Sequence, residues 1–171
     1  MNIEYSFSFD SDLNMMSGYG KITAFLDDDF EDEIEIGHLS FNYYNGYEMG
    51  DDQDLLLNAD AISGDEEYMI STFLDTDFDI GKIVTLDDIT IFTEYDHDEL
   101  EQQILKKFIH FCHYMGFDYI LVIAAKPRRD EEKEIIEFPQ LKQYQELGFT
   151  KLGGSDSRAP VMMKILDEDD V

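Results

Sequence analysis

The sequence has a single cysteine, Cys112, so no disulfide can form within the chain. It also lacks a long apolar run. The longest, Tyr119 to Ala125, has the length of a strand and is too short to cross a membrane. Met1 to Asp10 shows no basic leader followed by an apolar stretch, as a secretory signal would. These absences argue against a secreted or membrane protein and predict a soluble protein of a reducing cytoplasm.

Basic residues are scarce as well. The first 100 residues hold 27 Asp and Glu but only two bases, Lys21 and Lys82, and the whole chain has a net charge of −28. Such a charge repels nucleic acid and anionic membranes and attracts basic surfaces. We therefore expect a basic protein as partner, and no direct binding of nucleic acid or membrane. A merely solubilising surface and adaptation to salt are the alternatives.

The chain nevertheless has enough apolar residues to fold. Its 171 residues are 43% hydrophobic, which suits one domain with a full core. We expect a single domain over residues 1–166 and a frayed acidic tail over 167–171. Alternating patterns and glycines predict three N-terminal strands joined by an acidic hairpin tip. They are residues 3–9, a strand Lys21 to Leu26 preceded by Gly18 and Gly20, the tip Asp27 to Glu33, and a strand Glu35 to Tyr44.

Helix signals are clearer further along. Ser63 predicts a helix cap, and Glu66, three residues later, completes the pattern of a capping box for a helix through Leu74. A long strand with a bulge at Asp87-Asp88 should follow, then an amphipathic helix and a buried strand. The long strand is predicted over Ile83 to Tyr95, and the helix over Asp98 to Gly116, with Met115 on its apolar stripe. The buried strand is predicted over Asp118 to Ala125. After it we expect a loop Lys126 to Phe138, a helix Pro139 to Gly148, and strands Phe149 to Leu152 and Pro160 to Leu166.

This order from Ile83 to Leu166 resembles the C-terminal half of the GCN5-related N-acetyltransferase (GNAT) fold. The most specific piece is Leu141 to Phe149, in which Tyr144 stands four residues before a Gly-Phe pair. The N-terminal strands fit the same fold loosely. The resemblance implies a single-domain α/β protein with a mixed, mostly antiparallel sheet of about six to seven strands, flanked by helices.

The sequence departs from the family at the cofactor loop. Members usually carry Arg/Gln-x-x-Gly-x-Gly/Ala there, whose glycines let backbone N–H groups reach the pyrophosphate of acetyl-CoA. Here the stretch Glu94 to Gln102 places Asp96 at the basic position and Glu99 and Glu101 at the two small-residue positions. We therefore predict a degenerate member that does not bind acetyl-CoA in the usual way, and no cofactor.

Residue roles follow only if the protein is active. Tyr144 then matches the family's general acid, which protonates the leaving thiolate, and Glu94 lies where a general base could sit on the long strand. No metal site is predicted, because Asp75 to Gly81 departs from a calcium loop and His110 and His113 lack a second pair of ligands.

Our preferred interpretation is a non-catalytic acidic protein that binds and inhibits a basic, nucleic-acid-binding partner by imitating DNA, plausible for a phage or mobile element countering host defence. The alternative is an N-acetyltransferase with an atypical loop acting on a cationic amine. A third reading is a housekeeping protein with a merely acidic surface. The predicted partner-binding residues are Asp27, Asp28, Asp29, Glu31, Asp32, Glu33, Asp51, Asp52, Asp54, Asp75, Asp77, Asp79, Asp96, Asp98, Glu99 and Glu101.

Overall fold

A seven-stranded sheet runs through the middle of the protein, with helices on both faces. The computed structural model describes residues 1–25, 33–95, 98–125, 128–130, 135–154 and 158–166. The strands are β1 Asn2–Asp10, β2 Met15–Phe25, β3 Glu33–Asn45, β4 Lys82–Ile91, β5 Tyr119–Ile123, β6 Arg128–Asp130, β7 Ile135–Glu137, β8 Thr150–Gly153 and β9 Val161–Ile165. The helices are α1 Asp52–Asp60, α2 Gly64–Leu74, α3 Asp98–Tyr114 and α4 Pro139–Glu146.

The strand order in the sheet is β1-β2-β3-β4-β5-β9-β8. Every neighbouring pair is antiparallel except β4 and β5, which are parallel. The predicted mixed, mostly antiparallel sheet flanked by helices is confirmed. Strand β5 lies between β4 and β9, as expected for its unbroken apolar run. Within the described residues, no helix has the length and apolarity needed to cross a membrane.

Two hydrophobic cores fill the space between the sheet and its helices. On one face, which we call the α3–α4 face, Phe108 of α3 packs beside Phe41 of β3, with ring centroids 5.1 Å apart. On the other, the α1–α2 face, Leu55 and Phe73 are fully buried against Tyr44 and its neighbours. Alternate residues of each strand point to opposite faces, so β3 contributes Phe41 to one core and Tyr44 to the other.

Strand β2 is longer than predicted and contains the two glycines that were placed before it. A side chain at Gly18 would come within 2.2 Å of the Phe41 ring, and one at Gly20 would come within 3.0 Å of Leu39. The glycines therefore make room for large core side chains of β3 and do not mark a turn. Strand β3 likewise begins two residues early, so Glu33 lies in a strand and not in a hairpin tip.

Helix α1 was not predicted. The apolar pattern that marks it is short, and its cap is an aspartate inside an acidic run. The Asp51 carboxylate accepts from the backbone N–H groups of Gln53 and Asp54 at 2.9 and 3.0 Å. This cap satisfies two of the otherwise unpaired amides of the first turn. Leu55 and Ala59 then pack one turn apart into the core of the α1–α2 face.

Helix α2 begins at Ser63 as predicted, but the capping box is only half formed. The Ser63 hydroxyl accepts from the Glu66 backbone N–H at 3.1 Å. The Glu66 side chain does not return to the cap; it points into the core and is 1% exposed. Its carboxylate accepts hydrogen bonds from Asn42 at 2.9 Å, Tyr44 at 2.8 Å and Thr85 at 2.7 Å. The polar side chains of β3 and β4 explain the difference, because they offer partners that the helix terminus lacks.

Helix α3 follows the predicted apolar stripe. Cys112 is buried with a free thiol, and burial raises its pKa. Gly116, with φ of +69°, ends the helix in the left-handed conformation that glycine adopts without strain. Met115 was placed on the buried stripe but is 42% exposed, since it already lies beyond the last helical residue.

The bulge of β4 is confirmed, and two further features differ from prediction. Strand β4 shows the predicted bulge, since Ser40 pairs with Asp88 and Phe41 with Leu86, leaving Asp87 as the extra residue. The strand ends at Ile91, short of the predicted Tyr95, because a turn closed by Tyr95 N–H to Phe92 C=O follows. The predicted loop 126–138 contains the β6–β7 hairpin, whose polar sequence gave no alternating apolar signal. The tail 167–171 lies outside the described residues.

Candidate functional site

A cleft opens where strands β4 and β5 separate. Their parallel pairing runs from Ile83 with Tyr119 to Leu86 with Val122, and it ends at the bulge. The cleft has a volume of about 70 Å³. It is lined by Leu86, Asp87, Asp88, Ile89, Glu101, Val122, Ile123, Ala125, Gln140 and Tyr144.

Acidic residues line this cleft, and a hydrogen bond joins two of its lining residues. Asp87, Asp88 and Glu101 contribute carboxylates, and among the described residues no lysine or arginine lines it. The Gln140 amide donates to Glu101 at 3.3 Å, which links α4 to α3. The volume is well below the roughly 300 Å³ at which small-molecule pockets begin. The cleft therefore suits neither a large ligand nor an anionic one.

A second feature is a concentration of carboxylates at one end of the sheet. There β1 and β3 end, β2, β4 and β5 begin, and α1 starts, so four chain segments meet. We call this region the acidic end. Nine of its ten acids are exposed, and Asp118 is half-buried. The ten are Asp10, Asp12, Glu48, Asp51, Asp52, Asp54, Asp75, Asp77, Asp79 and Asp118.

Hydrogen bonds between the segments hold the acidic end in place. The Gly46 N–H donates to Gly81 C=O at 3.0 Å, joining the end of β3 to the start of β4. The Asp118 carboxylate accepts from the Lys82 backbone N–H at 2.7 Å and from the Tyr47 hydroxyl at 3.4 Å. The Asn58 side chain of α1 donates to the Leu13 carbonyl at 2.8 Å. The carboxylates are therefore carried on connected segments.

The predicted acidic clusters fall at two separate ends. Asp51 to Asp54 and Asp75 to Asp79 lie together at the acidic end. Glu33, which pairs with Phe25, and the start of α3, which follows the end of β4, lie at the opposite end. Strand β3 has 13 residues, so at about 3.4 Å per residue the two ends are about 40 Å apart. Of the predicted residues, Asp27, Asp28, Asp29, Glu31, Asp32 and Asp96 lie outside the described ones, as does the side chain of Asp98.

Comparison with known proteins bears on the fold. No protein-family model and no curated protein matches the chain. Among solved structures, a mosquito arylalkylamine N-acetyltransferase-like protein (5b) matches with a TM-score of 0.51 and 11% identity, over 88% of this chain and 74% of its own. The chain has the GNAT fold. The NAA60 protein of Arabidopsis thaliana (TM-score 0.45, 10% identity, 95% of each chain) and the loading GNATL domain of CurA from Lyngbya majuscula (0.47, 14%, 88% and 76%) are also similar.

Tyr144, the general acid implied by the GNAT resemblance, does line the cleft. It is only 4% exposed, and its ring packs against Phe149 with centroids 5.3 Å apart. Burial raises the pKa of its hydroxyl, and the carboxylates of Glu101 and Asp88 raise it further. A phenol with a raised pKa is a weaker proton donor to a thiolate, since a free thiol has a pKa near 8.5. The Tyr144 ring is part of the core of the α3–α4 face.

Glu94, the implied general base, is not on the long strand. It lies in the exposed turn after β4 and is not among the residues lining the cleft. The structure therefore brings Tyr144 together with Asp88 and Glu101, but not with Glu94. Glu99 is exposed in the first turn of α3, where a carboxylate favours the positive end of the helix dipole without any ligand.

Sequence reasoning missed several residues of the acidic end. Asp10, Asp12, Glu48 and Asp118 are isolated acids at strand ends, and no acidic run marks them. Only the strand order brings them beside the two predicted clusters. A search for acids within two or three residues of strand ends would have found them.

Proposed function

We propose that this GNAT-fold protein is a non-catalytic, acidic binding protein whose acidic end occupies the basic, nucleic-acid-binding surface of a partner and inhibits it. The observation that carries the proposal is the meeting of ten carboxylates from four segments, whose sequences contain a single base, Lys82. Duplex DNA presents about one charge per 1.7 Å of axis. A partner would bind such a surface through its charge, and no chemical reaction would be needed.

The cleft supports the non-catalytic part. Acetyl-CoA is polyanionic, and each unit charge held about 4 Å from a like charge costs about 1 kcal/mol in water and several times more near a protein surface. Asp87, Asp88 and Glu101 would each oppose it. An inhibitor of this kind would act in the cytoplasm, and we extend the proposal to a phage or mobile-element protein directed against a host defence enzyme.

Calorimetric titration with acetyl-CoA at moderate salt tests the non-catalytic part. We expect no heat of binding up to millimolar cofactor. Micromolar binding would overturn the proposal and favour an N-acetyltransferase acting on cationic amines. A Tyr144→Phe variant would then show whether the tyrosine is needed for turnover.

Binding of a fluorescent arginine-rich, nucleic-acid-binding peptide tests the acidic end. The triple variant Asp75→Asn, Asp77→Asn, Asp79→Asn removes three charges there. The matched control Glu4→Gln, Glu35→Gln, Glu94→Gln removes three exposed charges from the opposite half of the sheet. We expect anisotropy titrations to show at least tenfold weaker binding for the first variant and less than threefold for the second. Equal losses would mean that net charge alone attracts the peptide, against the proposal.

A further inference from the structure

An open groove lies between strand β1 and helix α3, away from both the cleft and the acidic end. Its volume is about 480 Å³, within the range of small-molecule sites. Ile3 and Tyr5 of β1 and Phe111 of α3 form its apolar wall. The rings of Tyr5 and Phe111 stack with centroids 3.9 Å apart and planes 15° from parallel.

The charge around this groove is opposite to that of the rest of the protein. Lys106, Lys107 and His110 line it, and in the part of the chain that the structure describes no acidic residue lines it, although 40 of the 171 residues are Asp or Glu. Both lysines are exposed, and neither forms an ion pair with another residue in the part of the chain that the structure describes. Both line the groove, and each carries an ammonium group on a flexible stem whose three donors can reach an anionic group there.

The apolar wall also contains an unsatisfied polar atom. The Tyr5 hydroxyl is buried and has no hydrogen-bond partner within the described ranges. Buried hydroxyls almost always have such a partner, often a bound water or ligand.

We infer that this groove binds a small single-chain amphiphile with an anionic head. The head, a carboxylate or a phosphate, pairs with Lys106 and Lys107. The hydrocarbon chain lies along Ile3, Tyr5 and Phe111, where it is removed from water. This inference does not depend on the proposed inhibitory function, because it uses none of the residues of the acidic end.

Amide chemical-shift mapping on the full chain tests the inference, with sodium decanoate below its micelle concentration as the probe. We expect saturable shifts confined to residues 2–5 and 106–114. Decyl phosphate in a second arm distinguishes a phosphate head from a carboxylate head. Butyrate, which lacks the chain, should bind at least tenfold more weakly, and decyltrimethylammonium should not shift these residues.

Matched lysine variants separate a local site from overall charge. Lys106→Gln with Lys107→Gln should weaken decanoate binding at least fivefold. Lys142→Gln with Lys151→Gln removes the same charge at exposed positions elsewhere and should change the affinity less than twofold. Equal weakening by the two pairs, equal binding of the cationic amphiphile in the groove, or no saturable shift there would each overturn the inference.

Discussion

On the α3–α4 face of the sheet the core is built almost entirely from aliphatic and aromatic side chains, whereas the α1–α2 face encloses the carboxylate of Glu66. The first contains a cluster of stacked and edge-on rings around Phe41, Phe108 and Phe111. The second contains three strand side chains that donate to one buried carboxyl group. Apolar packing is non-directional and insensitive to pH, while a buried acid ties stability to its protonation. The two faces should therefore respond differently to mutation and to pH.

The largest expected effect comes from emptying the apolar face. Phe108→Ala removes a fully buried ring and should lower the free energy of unfolding by about 3–5 kcal/mol. Urea denaturation measures the loss, which should be the same at pH 5 and pH 8. A loss that changes strongly with pH would mean that the two faces are not independent.

On the polar face, Thr85→Val keeps the side-chain shape but removes one donor to Glu66. Thr85 is fully buried, and taking one hydrogen-bond partner from a buried polar group costs about 1–3 kcal/mol, so a loss of that size is expected at pH 7. Thr90→Val provides the control, since its hydroxyl bonds to the exposed Asp88 carboxylate. An equal loss for both variants would show that burial of the hydrogen bond adds nothing.

Glu66→Gln tests the pH dependence of the same face. Burial raises the pKa of Glu66, and the hydrogen bonds from Thr85, Asn42 and Tyr44 only partly oppose this. A raised folded-state pKa stabilises the fold below the unfolded pKa of about 4.3, and this stability is lost as pH rises through the folded pKa. From about pH 4 upward the wild type should therefore lose stability relative to Glu66→Gln, by at most about tenfold in the folding constant per pH unit, until the pH exceeds the folded pKa. A constant difference would contradict a raised pKa.

The smallest expected effect comes from Ser17, at the edge of the hydrogen-bond network around Glu66. The Ser17 hydroxyl donates to Asn42 at 2.9 Å, and Asn42 in turn donates to Glu66. Ser17→Ala should cost about 1 kcal/mol. Combined with Glu66→Gln, its cost should shrink, because Asn42 then no longer orients toward an anion. If the stability changes of the two substitutions simply add, Ser17 does not belong to the network around Glu66.

The sequence predicted the fold better than the site. Long periodic segments such as α3 and the β5 run were recognised, since an apolar stripe or an unbroken apolar strand is a local signal. Gly18 was wrongly placed before the strand. A glycine is needed there because of the Phe41 ring, which belongs to another strand. Glu66 was misread because a capping box and a buried acid look alike until Asn42, Tyr44 and Thr85 are placed around it.

The same reasoning applies to charge. The acidic runs were visible in the sequence, but their separation onto two ends about 40 Å apart depends on strand order and register. Isolated acids such as Asp118 join a cluster only through the fold. Chemistry that is spread over distant segments cannot be read from spacing along the chain.

Strand β1 forms an edge of the sheet, so its outer backbone amides and carbonyls have no partner strand among the described residues. Phe7 and Phe9 on this strand are 44% and 61% exposed, which would favour joining to a second sheet edge. At neutral pH the charge of −28 on each copy keeps two such edges apart. Near pH 4, where ordinary carboxylates take up protons, that repulsion disappears and the edge becomes a template for aggregation. The same acids that we propose for binding a basic partner should therefore also oppose association of this strand edge at neutral pH.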